Sequence, residues 1–237
     1  MKRLLPAITL TAVLALAGCT GGGSSDSADS GQDSGSQPAA EETQAAKQLD
    51  EAALTNIIET TDFDGKTFKP MDASAVSSGE AAKALEQAEF EPAECKDLAM
   101  AGLNAAQASA GTTVVGVASD NTMSVGLSSF PDEKATTDQF STSSKMAETC
   151  GDVTMTMQGM EMQMTSETFD AKVAGADEAV GTRTSMETGG APAMSTQSVV
   201  ARVGNTVVTA ANLSPQGDEQ DAVKVAEAAV EAVKNAG

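Results

Sequence analysis

Ser198-Val199-Val200-Ala201-Arg202-Val203-Gly204-Asn205-Thr206-Val207-Val208-Thr209-Ala210-Ala211-Asn212-Leu213 is the stretch whose reading decides the fold. Two runs rich in β-branched residues flank Gly204-Asn205, a dipeptide suited to a two-residue hairpin turn. The expectation is an antiparallel hairpin over Ser198 to Val203 and Thr206 to Leu213. On its C-terminal side, Asp218 to Ala236 sets Val223, Ala226, Val230 and Val233 on one helical stripe and leaves Glu219, Glu227, Glu231 and Lys234 in water. A sheet closed by an amphipathic helix follows. On its N-terminal side, Ala179 to Thr188 reads as a further strand, broken at Gly189-Gly190-Ala191-Pro192.

The next hairpin outward has an unusual composition. Val153, Met155 and Met157 alternate with threonine, Gln158-Gly159 turns the chain, and Met160, Met162 and Met164 alternate with Glu161 and Gln163. A two-residue turn pairs 157 with 160, 155 with 162 and 153 with 164, so all five methionines and Val153 share one face. Before it, Pro131-Asp132-Glu133 opens a helix whose inner face holds Phe140, Ser143, Ala147 and Cys150. Thr112 to Phe130 forms a second hairpin about Asp120-Asn121, with Val114, Gly116, Ala118, Met123, Val125 and Leu127 on one face. Pro92 begins a helix carrying Cys95, Leu98, Ala99, Gly102, Leu103 and Ala106 on one stripe, and Ser77-Ser78-Gly79-Glu80 has the form of a capping box for a short helix before it. Ala45 to Thr61 is a helix by its spacing of Leu49, Leu54, Ile57 and Ile58, and Asp62-Phe63-Asp64-Gly65 is a turn. The fold class is therefore α+β, an antiparallel sheet built from hairpins with helices packed on one face.

The N-terminus says where such a domain works. Lys2 and Arg3 precede an apolar run, Leu4 to Leu16, that is too short for a membrane-spanning helix and reads as an export signal. It ends in Leu16-Ala17-Gly18-Cys19, which resembles the lipobox of bacterial lipoproteins. That resemblance implies cleavage before Cys19 and a diacylglyceryl thioether on its sulfur, commonly with an added N-acyl chain such as palmitate. Two or more chains give a stable anchor, each buried methylene contributing about 0.8 kcal/mol. Residues 1–18 are then the signal peptide, 19–44 a flexible Ser/Gly/Asp-rich tether and 45–237 the globular domain. As a coil, the tether spans roughly 25–30 Å.

Charge and missing residue types remove whole classes of function. The chain has 14 basic and 34 acidic residues, a net charge of −20, and loss of the signal removes two more positive charges. Such a surface repels nucleic acid and anionic lipid. Histidine is absent, which excludes imidazole-based triads, proton shuttles and histidine zinc sites. With neither Trp nor Tyr, aromatic platforms for sugars or bases are not expected. Thr142-Ser143-Ser144-Lys145 lacks serine at the position that a Ser-x-x-Lys nucleophile needs. No catalytic residue, metal ligand or cofactor is therefore assigned. With Cys19 committed to lipid, Cys95 and Cys150 remain as an even pair in an oxidising compartment, where a disulfide is the expectation.

Glu91-Pro92-Ala93-Glu94-Cys95 opening a helix, Phe130-Pro131 leading to the helix that ends at Cys150, and Ala201-Arg202-Val203-Gly204-Asn205-Thr206-Val207-Val208 before the last helix together resemble the PknH-like extracellular sensor domains of actinobacterial receptor kinases and lipoproteins. The resemblance implies an antiparallel sheet with flanking helices, a broad cleft, and capture of a ligand outside the cell. The leading expectation is a ligand-binding or sensor-like module, tethered to the outer face of the cytoplasmic membrane. Met155, Met157, Met160, Met162 and Met164 are the candidate cleft wall, since methionine adapts to varied apolar ligands or partner proteins. Two alternatives stand beside it: a structural or adaptor lipoprotein whose methionines are plain core, and Cu(I) binding by thioethers. The second of these ranks last, because methionines alternating on a strand buried against helices leave no open site and the histidine that often accompanies such sites is absent.

Overall fold

The computed structural model describes residues 47–63, 65–71, 79–108, 111–157, 159–214 and 217–237. The signal segment, Cys19, the tether and Ser77-Ser78 of the capping box lie outside them. In chain order the elements are α1 Glu51–Thr60, β1 Phe68–Met71, α2 Gly79–Gln87, β2 Glu89–Glu91, α3 Glu94–Ala108, β3 Thr112–Ala118, β4 Met123–Ser129, α4 Glu133–Thr149, β5 Asp152–Met157, β6 Met160–Phe169, β7 Glu178–Thr188, β8 Ala191–Val203, β9 Thr206–Asn212 and α5 Glu219–Ala236. The strands form one antiparallel sheet in the order β1-β3-β4-β9-β8-β7-β6-β5-β2. No helix among the described residues is long and apolar enough to cross a membrane.

The hairpin registers are those the turn residues dictate. Val203 pairs with Thr206 around Gly204, whose φ is 55°. Met157 pairs with Met160 around Gly159, at φ 79°, and Val117 pairs with Ser124 around a turn in which Asn121 takes φ 57°. Gly189-Gly190 joins β7 to β8 instead of ending the sheet. Both glycines have positive φ, 60° and 78°, as a two-residue turn between twisted strands requires. β8 consequently begins at Ala191, seven residues before the expected strand, and tolerates Pro192 beside a register shift opposite Met186 and Glu187. The edge strands β1 and β2 are short and carry Pro70, Lys69 and acidic residues, so neither announces itself by alternation.

Aspartates start three of the helices. The Asp50, Asp132 and Asp218 carboxylates accept from the backbone N–H of Ala53, Ala135 and Gln220 at 2.9, 2.8 and 3.0 Å. Leu54, Ile57 and Ile58 of α1 and Val223, Ala226, Val230 and Val233 of α5 pack on Val114, Val125, Leu127, Val199, Ala201, Val208 and Ala210 of the central strands. The chain enters this core through Ser129: its hydroxyl accepts from Leu49 N–H at 2.9 Å and from the Thr206 hydroxyl at 3.3 Å, next to the decisive turn. At the opposite end of β3–β4, Lys66 donates to Asp120 at 2.9 Å and, with the Thr122 hydroxyl and amide, holds that carboxyl well below the usual carboxylate range.

Helices occupy both faces. α1 and α5 lie together as expected, but α3 and α4 pack on the other side. Phe169 belongs to the main core, and Met164, five positions back on the same regular strand, packs with Cys95, Cys150 and Val153. An odd separation along a strand reverses the direction of the side chain. The periodicity of a helix identifies its apolar stripe but not the side on which its connection crosses the sheet.

Gly181 is fixed by close approach. Phe169, directly across from it, lies so near that a Cβ at 181 would come within 2.3 Å of ring atom Cε2. Gly181→Ala is expected to cost about 1–3 kcal/mol through overpacking, read as a lower denaturant midpoint with unchanged slope.

Candidate functional site

The second layer is small and covalently pinned. Cys95 near the start of α3 and Cys150 at the C-cap of α4 form a disulfide, with Cα atoms 5.7 Å apart. Cys95, Cys150 and Val153 are its buried centre, and Phe90, Leu98, Met146 and Met164 pack around them. Lys96 ties α2 to the same place, its ammonium donating to the carbonyls of Glu86 at 2.6 Å and Ala88 at 2.8 Å. Cations are favoured at such helix C-termini because the last carbonyls lack partners.

Between α4 and the sheet lies a cavity of about 220 Å³. Its wall is apolar and rich in sulfur: Phe90, Met146, Val153, Met164 and the disulfide. Its floor and rim are hydroxyls: Ser166, Thr182, Thr184 and Ser198 from β6, β7 and β8, with Ser143 from α4. None of the lining residues carries charge. Cavities at the margins differ in this respect, being lined in part by Lys47 and Lys234, by Lys66 and Asp120, or by Glu227, Glu231 and Lys234. Ser166 and Thr184 share a hydrogen bond at 3.1 Å, and Ser198 donates to the Thr182 carbonyl at 3.4 Å. Thr196, directly opposite Thr184 on β8, has a buried hydroxyl without a protein partner among the described residues. Neutral hydroxyls over an apolar wall can hold the polar end of an amphiphile, but offer no activated nucleophile or general base.

The five expected methionines do share the face on which this cavity opens, in the expected pairing. Only Met164 lines the cavity; Met155, Met157, Met160 and Met162 extend beyond it along the sheet. They are not sealed core. Met160 is 57% exposed and the others are half-buried.

Two further methionines belong here. Met164 pairs with Met186, which pairs with Met194, itself 48% exposed. Neither was singled out from the sequence, although Thr182, Thr184 and Met186 alternate in the expected strand. The Gly189-Gly190 turn alone sets Ala193 opposite Met186 and turns Met194 to the other face; the extra residue of the bulge restores it. On the reverse side of the same strands stand Asp152, Glu161, Glu167 and Glu187, with Glu89 and Glu91 on β2, all exposed. Arg183 is their counter-ion, bridging Glu167 at 3.0 Å and also bonding Glu219 of α5. This half of the sheet is thus neutral and soft on one side and anionic on the other.

No protein-family model and no curated protein matches the chain. The solved structures similar to it include two from mycobacteria. The extracellular domain of PknH from Mycobacterium tuberculosis is 18% identical over 85% of this chain and 100% of that one, with a TM-score of 0.47. A putative uncharacterized protein from Mycobacterium smegmatis is 17% identical over 71% of this chain and 86% of that one, with a TM-score of 0.39.

Proposed function

We propose that this chain is a lipoprotein acylated at Cys19 and held outside the cytoplasmic membrane, where its domain captures an apolar or amphiphilic ligand without transforming it. The observation that carries the reading is the uncharged cavity between α4 and the sheet, in a chain with 34 acidic residues. Its volume, about 220 Å³, is below the 300–1,000 Å³ of a site that encloses a whole drug-sized ligand. It accommodates one end of a chain, and the rest of the ligand lies along the methionine surface that begins at Met164. The disulfide supports the assigned compartment, since such bonds persist where thiols are not kept reduced.

Thermal unfolding with and without oleate or lysophospholipid tests this. A ligand at 100 times its Kd stabilises by about 2.7 kcal/mol, enough to raise the midpoint by several degrees. Ala147 of α4 also lines the cavity, and Ala147→Leu, which places a larger side chain there, is expected to abolish the rise. No rise with any lipid, together with native mass spectra free of co-purifying lipid, would overturn the proposal.

A further inference from the structure

A row of methionines that reaches water at Met160 and Met194 is not explained by packing alone. Leucine or valine would cover the same area, and among the described residues the buried core is mostly valine and alanine, with Met123 its one methionine. What the row has in common is the thioether. We propose that Met164, Met186 and Met194, with Met162 completing the shell, bind one soft monovalent cation, Cu(I). This goes beyond the ligand cleft and does not depend on it.

The argument begins with register. Met164, Met186 and Met194 are direct cross-strand partners on three adjacent strands, β6, β7 and β8, and Met162 is diagonal to Met186. Neighbouring strands lie about 4.8 Å apart, and directly opposed Cβ atoms about 4.5–5.5 Å apart. Methionine is unbranched with three rotatable bonds beyond Cα, so the sulfurs of three such neighbours can converge above the central one. Exposure of Met194 and partial exposure of Met162, Met164 and Met186 leave the ion a path in. The objection that thioethers under helices have no open position does not hold for this face.

Donor chemistry then selects the ion. The chain has no histidine, both domain cysteines are in the disulfide, and no cluster of three His, Cys, Asp or Glu among the described residues could hold a metal. Neutral thioethers are poor ligands for hard and borderline cations and good ones for Cu(I). The carboxylates on the reverse of β5, β6 and β7 add a negative potential that draws cations to this half of the sheet.

The test uses the full chain with Cys19 lipidated and the Cys95–Cys150 bond intact, titrated anaerobically against the coloured Cu(I) complex of bicinchoninate. Wild type is expected to withdraw one equivalent of Cu(I). The triple variant Met164→Leu, Met186→Leu and Met194→Leu keeps the apolar volume and removes the sulfur. It should bind at least about tenfold more weakly, since even a second-sphere partner of a metal ligand is worth that much. An unchanged thermal midpoint shows that this variant is folded. Ag(I), a redox-silent substitute, should move the methyl resonances of these methionines in NMR spectra. Failure of wild type to compete for Cu(I), equal affinity of the triple variant, or unmoved methyl resonances would overturn the proposal.

Discussion

Replacing both Cys95 and Cys150 with alanine lowers the thermal midpoint by roughly 8–16 °C. The bond joins residues 55 apart, and closing a loop of that size in the unfolded chain accounts for about 4 kcal/mol in the chain-entropy model. For a domain of this length each kcal/mol corresponds to about 2–4 °C. Its effect is local as well as global. α1 and α5 rest on a broad core, whereas among the described residues the layer around the disulfide has only Cys95, Cys150 and Val153 as buried centre. Without the bond, α2, β2 and α3 should exchange their amide protons before the α1 and α5 half does. Scanning calorimetry of wild type with and without reductant, beside hydrogen exchange of the variant, measures both effects. A midpoint within 2 °C of wild type, on the order of the shift expected for a 1 kcal/mol change, would show that packing alone holds this layer.

Phe63→Ala costs about 3–5 kcal/mol, the range for deleting a buried aromatic ring. Nothing in Asp62-Phe63-Asp64-Gly65 sets this residue apart from the turn around it. Gly65 does turn the chain, at φ 77°, with its N–H donating to the Asp62 carboxylate at 2.6 Å. Phe63 is nevertheless fully buried, and its ring lies 4.7 Å from that of Phe68 at 57°. Phe68 begins β1, which pairs only with β3, so the aromatic pair fastens an edge strand to the core. Met160→Ala, at a site 57% exposed, is the control and should change stability by less than about 0.5 kcal/mol. Chemical denaturation of both variants separates the outcomes; a loss below 1 kcal/mol at Phe63, on the order of a surface change, would mean that the ring can be replaced by water without consequence.

Period and turn chemistry alone determined the hairpin at Gly204-Asn205, the pairing of Met157 with Met160, and the stripe of α5, because each follows from bonds between residues near in sequence. The pairing of Cys95 with Cys150 followed from counting thiols. The α+β class followed from the order of these elements. Long-range packing decided the rest. Which face α3 and α4 cover depends on the path of a crossing chain, and the burial of Phe63 depends on a partner strand too short to show a period. Met194 joins Met164 and Met186 only because one extra residue in β8 reverses its side, a shift that turn chemistry does not encode. The five hairpin methionines were legible as one surface, but their exposure was not, since alternation reports a shared face and only the placement of helices decides whether that face meets water.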